Sequence, residues 1–101
     1  MAIIRNQITN DVNMVESSSL QGQIIGCVTL NSGVNLQMHG MIIGKLILEK
    51  DSEAFIHGTI NGDIENNGGH LYVYGTVNGK IHENSGTVKV MAGSRVGKPL
   101  L

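Results

Sequence analysis

The sequence predicts an all-β fold: one single-stranded parallel β-solenoid of about five coils, each about 18 residues long and triangular in section, with no α-helix. Three observations predict it. The phrase Gly58-Thr59-Ile60-Asn61-Gly62-Asp63-Ile64 returns as Gly75-Thr76-Val77-Asn78-Gly79-Lys80-Ile81, and looser copies, Gly22–Val28 and Gly40–Leu46, precede it. Their first glycines stand at 22, 40, 58 and 75, giving steps of 18, 18 and 17 residues, with Gly93 and Gly97 another step on. Apolar residues alternate strictly: Val34, Leu36, Met38, Ile42, Leu46 and Leu48 take even positions, while Gln37, His39, Lys45 and Glu49 take odd ones. This is the period of strands with one buried face. No stretch carries a helical i, i+3, i+4 stripe with caps, so no helix is available as a crossover, and parallel strands at this spacing stack only as a coil.

The elements follow in order. Residues 1–19 hold scattered apolar positions before Glu16-Ser17-Ser18-Ser19, which suggests a partial first coil or a cap. Counting back 18 from Leu30 places Val12 above it. Residues 20–97 form the solenoid, with one inward column of Ile24, Ile42, Ile60 and Val77 and another of Val28, Leu46, Ile64 and Ile81. The glycine pairs Gly22/Gly26, Gly40/Gly44, Gly58/Gly62 and Gly75/Gly79 flank the first column, where the chain bends and a side chain would strike the core. Gly33, Asp51, Gly68 and Gly86 make a turn column that requires positive φ. From Gly62 to Gly68 is 6 residues where Gly26 to Gly33 is 7, which locates the shortened step at that corner. In the last coil an 18-residue register turns Lys89 and Arg95 inward and Val88 and Val90 outward, so either a bulge resets the register or this coil closes the solenoid. Residues 98–101 are a C-terminal tail whose two leucines fold over the end or make contacts.

Composition narrows the functions. With 14 Gly, 1 Pro, 1 Phe, 2 Tyr and no Trp, the core is built from Ile, Leu, Val and Met. A net charge of −1 without a basic cluster gives no electrostatic footprint for nucleic acid. The single Cys27 cannot make an intrachain disulfide and fits a reducing compartment. No apolar run reaches the ~18 residues that span a bilayer, and the N-terminus is too short for a secretory signal. A cytoplasmic protein is expected; membrane contact through residues 1–4 has no further support.

The outward columns are read as follows. Lys45, Asp63 and Lys80 make a charge ladder topped by Cys27. His39, His57 and Tyr74 share one column, Phe55 and Tyr72 another; two imidazoles without a third ligand do not make a metal site. Ile25 and Ile43, with nearby Ile47, add apolar surface, so Ile25, Ile43, Phe55, His57, Tyr72 and Tyr74 form a candidate contact face. No catalytic group, cofactor site or metal site emerges: Ser17-Ser18-Ser19 lacks a positioned base, and the glycine pairs begin no helix. An enzyme is not expected.

The two phrases beginning at Gly58 and Gly75 resemble the G-x-[IV]-x-G-x-[IV] repeat of bactofilins, the polymer-forming bacterial cytoskeletal proteins, over roughly residues 20–97. The resemblance implies a right-handed, triangular parallel β-helix that polymerises end to end into nonpolar filaments without nucleotide, often at the membrane. A second reading, of a different class, is a short capped solenoid acting as an inhibitor, immunity-type, antitoxin-type or phage-encoded partner of one other protein. A third draws on Ile24, Leu30, Leu36, Ile42, Leu48, Ala54 and Ile60, which recur every six residues as in left-handed hexapeptide-repeat acyltransferases. Those enzymes resemble this chain in period alone, and spacing does not give the handedness.

Overall fold

The computed structural model describes residues 2–91 and 95–96. The first coil consists of β1 (Ala2–Ile4), β2 (Gln7–Ile8) and β3 (Val12–Met14), and the second of β4 (Ser18–Leu20), β5 (Gln23–Ile25) and β6 (Val28–Leu30). The third holds β7 (Asn35–Met38), β8 (Met41–Ile43) and β9 (Leu46–Leu48). Then come β10 (Glu53–Ile56), β11 (Thr59–Asn61), β12 (Ile64–Val73), β13 (Thr76–Val77), β14 (Ile81–Val90) and β15 (Arg95–Val96). Every strand pairing among these is parallel, and no helix occurs among the described residues. β12 and β14 are long because each continues around a corner, serving one face with its first residues and the next with its last.

Three stacks result. The first face is β1, β4, β7, β10 and the second halves of β12 and β14; the second is β2, β5, β8, β11, β13 and β15; the third is β3, β6, β9 and the first halves of β12 and β14. Register aligns Ile24, Ile42, Ile60 and Val77 inside the second face, and Val28, Leu46, Ile64 and Ile81 inside the third. Leu20, Met38, Ile56 and Val73 line the first. All twelve are buried. Each such side chain contributes about 1.5–3 kcal/mol relative to its exposed state, so the columns, rather than local propensity, hold the coils in register.

Several expectations are corrected. The first coil advances by 16 residues, not 18: Val12 lies on Val28, and it is Met14 that lies on Leu30. The two missing residues fall at the corner between the third and first faces, where Met14 to Ser18 replaces Leu30 to Leu36. Residues 2–14 thus make a complete coil of three strands. The expected shortening near Gly68 lies at the same corner, since Leu48 pairs with Asn66 but Glu53 with His70. In the last coil β14 follows β12 at a step of 17 on both sides of the irregularities near Asn67, which puts Val88 on Leu71, Lys89 on Tyr72 and Val90 on Val73. Lys89 therefore shares the outward column of Tyr72 and does not turn inward, and Val88 packs against the core. Arg95 pairs with Thr76 and Val96 with Val77, so the place of Val77 falls to Val96 and not to Arg95. Gly93, Gly97 and the tail at 98–101 lie outside the described residues.

The glycine pairs serve a different purpose from the one expected. A Cβ on Gly40, Gly58 or Gly75 would collide with the carbonyl oxygen of Gly22, Gly40 or Gly58 in the coil before, and Gly44, Gly62 and Gly79 repeat this against Gly26, Gly44 and Gly62. The obstacle is main chain of the neighbouring coil, not side chains of the core. The turn column shows the positive φ it requires, +80° at Gly33, +65° at Asp51, +129° at Gly68 and +82° at Gly86.

Candidate interaction surfaces

The aromatic residues stand on the first face because β7, β10 and β12 pair in exact step, so residues one coil apart project side by side. His39 stacks on His57 with ring centroids 4.9 Å apart and planes 6° apart, and His57 stacks on Tyr74 at 4.7 Å and 9°. Phe55 stacks on Tyr72 at 4.9 Å and 8°. These distances are the strand spacing itself, and offset ring pairs add about 0.5–1.5 kcal/mol each beyond area burial. In parallel rings the nitrogen lone pairs of His39 and His57 run alongside one another and do not converge on a shared point. Among the described residues no group of three or more His, Cys, Asp or Glu is placed to hold a metal ion.

The six residues expected to form one contact face divide between two. Phe55, His57, Tyr72 and Tyr74 belong to the first face or its edge, whereas Ile25 and Ile43 pair with each other on β5 and β8 of the second, followed in that column by Asn61. Ile47 is on the third, between Thr29 and Glu65. The isoleucines are half-buried and do not extend the aromatic strip.

The charge ladder also differs from its expected form. Lys45, Asp63 and Lys80 do follow one another along the stack, as the bonds Leu46 N–H to Asp63 O and Ile64 N–H to Lys80 O show. The ion pairs, however, run diagonally: Lys45 Nζ to Glu65 Oε2 at 3.6 Å, and His82 Nε2 to Asp63 Oδ2 at 3.8 Å. Asp63 has a second task. Its Oδ1 accepts the Lys80 N–H at 2.8 Å, and Asp11 Oδ1 accepts the Cys27 N–H at 2.9 Å in the same way. That hydrogen bond holds the Asp63 carboxyl below its ordinary value, with desolvation opposing and the charges of His82, Lys45 and Lys80 assisting.

Sequence reasoning placed Asp63 in the charge ladder but missed Asp11 and the bond that both make to the next coil, although both directly follow a position of the second glycine column. It also missed the amide ladders. Asn31 donates to Asn13 at 2.7 Å, Asn78 to Asn61 at 3.0 Å and Asn84 to Asn67 at 2.8 Å. Asn66 was not singled out either, and it is fully buried. It occupies the place of Leu30 and Leu48, accepts from the N–H groups of Gly68 and Gly69, and donates to Gly69 O and Thr87 O.

The two ends are the other surfaces of note. Among the described residues β1, β2 and β3 pair only toward the second coil, and β14 and β15 only toward the coil before them. Ile4, Ile8 and Val12 top the core at one end and are partly buried. At the other, Val90 is 41% exposed where Val73, one coil inward, is 0%. Compared with known proteins, the chain matches no family model, no curated protein and no solved structure. Among the described residues no helix is long and apolar enough to cross a membrane.

Proposed function

We propose that this chain is a structural protein of bactofilin-like character, without enzymatic activity, that self-associates through the ends of its solenoid in the cytoplasm. The observation that carries the reading is the pair of ends: among the described residues each leaves the outer edge of its strands without a paired strand, beside a slice of aliphatic core. Open edges of this kind are satisfied by another strand or by a cover, and a second copy supplies a strand. Assembly of this sort requires no cofactor. The experiment is light scattering across a concentration series, with electron microscopy of the same samples. Particles larger than one chain are expected, and Val90→Asp, which puts a charge into the exposed end of the core, is expected to dissolve them. A monodisperse monomer at every concentration overturns the reading.

A second reading, a binding module for one protein partner, is favoured by one observation, the exposed ring stack of His39, His57 and Tyr74 beside Phe55 and Tyr72. A partner that co-purifies in fixed ratio, and is lost with Tyr74→Ala, would support it over self-association.

A further inference from the structure

The two ends of the solenoid are not equivalent, and the reason lies in the direction of the glycine Cβ positions. In four successive coils, a Cβ built in either glycine column points at main chain of the coil on its N-terminal side: Gly22 at the carbonyls of Arg5 and Asn6, Gly26 at that of Asn10, and onward to Gly75 and Gly79. Each of these four coils, from the second to the fifth, carries glycine there. The first coil carries Asn6 and Asn10. Their placement in the two columns follows from the pairing of Gln7 with Gln23 and Ile8 with Ile24, and from the Gln23 N–H bond to Asn6 O at 3.2 Å. Both asparagines are exposed, and no described strand precedes them.

A copy that laid its last coil on this one in register would bring its carbonyls to where the Asn6 and Asn10 side chains stand. That excludes head-to-tail continuation, whichever copy is regarded as incoming. Among the described residues the C-terminal end has no such obstruction, because a Cβ in these columns points toward the N-terminus. It offers β14, ten residues long and unpaired on its outer edge among the described residues, beside half-buried Val88 and exposed Val90. Two copies that meet by their C-terminal ends run antiparallel across a two-fold axis. Glu83 and Lys89, near opposite ends of β14, then approach their opposites in the mate.

Resting on the self-association reading, we propose that the partner is a second copy joined C-terminal end to C-terminal end, and that Asn6 and Asn10 close the N-terminal end, so that assembly stops at two copies. The test is sedimentation velocity on the full chain, its N6G/N10G variant and its N6A/N10A variant, with circular dichroism to verify the β fold of each. The wild-type chain is expected as a two-copy particle. N6G/N10G, which clears both columns, is expected to grow beyond two copies as concentration rises, and N6A/N10A, which keeps each Cβ, to stay at two. Long rods from the wild-type chain would overturn the closure and leave self-association standing. So would a folded N6G/N10G that stays at two copies, or an N6A/N10A that grows. A wild-type monomer throughout would overturn self-association itself, and this inference with it.

Discussion

The glycine corners and the corner between the third and first faces solve the same bending problem in opposite ways. At the glycine corners, main chain meets main chain so closely that no side chain fits, and all four coils after the first keep the same residue. At the other corner the space varies from coil to coil: nothing lies within 4 Å of a Cβ added to Gly33, whereas one on Gly86 would strike the Gly69 carbonyl, and the bend is completed by side chains that differ each time. Ser17 Oγ accepts the Asn35 N–H, Asn31 bonds Met14 O, Ser52 bonds Glu49 O and Asn66 makes four bonds at once. The coil step drops to 16 at this corner after the first coil and to 17 before His70. Where backbone packs on backbone, length and residue type are both fixed; where side chains close the turn, both can drift.

Breaking the tight corner should therefore cost most. In Gly62→Ala the new Cβ runs into the Gly44 carbonyl at a φ of +156°, and neither backbone can retreat without shifting a coil. The expected loss is about 3–5 kcal/mol, from overpacking together with a backbone conformation that L residues avoid. Urea denaturation should show a midpoint far below wild type, or no cooperative transition. Asn66→Ala comes next. It strips the buried N–H of Gly69 and the carbonyl of Thr87 of partners, for about 2–4 kcal/mol in the same assay. Gly33→Ala should be mildest of the three, about 1–2 kcal/mol, because only its φ of +80° resists the change while the space around it is open. Equal losses for Gly62→Ala and Gly33→Ala would remove the distinction between the corners.

The repeating part of this fold is legible in the sequence because it is set by the period. Ile42 under Ile24 and Ile60 under Ile42 follow from spacing alone, as does the turn column from Gly33 to Asp51. The ends are less legible, since a register is counted from neighbours, and a coil with one neighbour carries half the constraint. Val12 is placed a residue pair away from its partner for that reason, and Lys89 is turned inward because a step of 18 is counted where β12 and β14 pair at a step of 17. Asn66 is concealed differently: it lies in an aliphatic column, and only the missing residue beside it signals that a side chain replaces main-chain bonds. The aromatic columns are visible as sequence positions. Which face each occupies is not, because two residues near a corner can be close in sequence and look in different directions.

The smallest effect falls at the edge between the tight corner and the third face. Asp63 follows Gly62, accepts the Lys80 N–H of the next coil and faces His82, so its carboxyl ionises more readily in the folded chain than in the unfolded one. A group whose value is depressed on folding stabilises the fold while both states are ionised. That contribution is complete above the unfolded value near 3.8 and is lost as pH falls through the lower folded value. Asp63→Asn keeps an oxygen for the Lys80 N–H but cannot titrate. Thermal melts of both chains from neutral pH downward should show wild type slightly more stable at neutral pH, with the difference narrowing once the pH drops below 3.8 and disappearing in stronger acid. A difference that persists unchanged into strong acid would mean that shape, not charge, is what Asp63 contributes at this edge, and would make the corner a steric device on both of its sides.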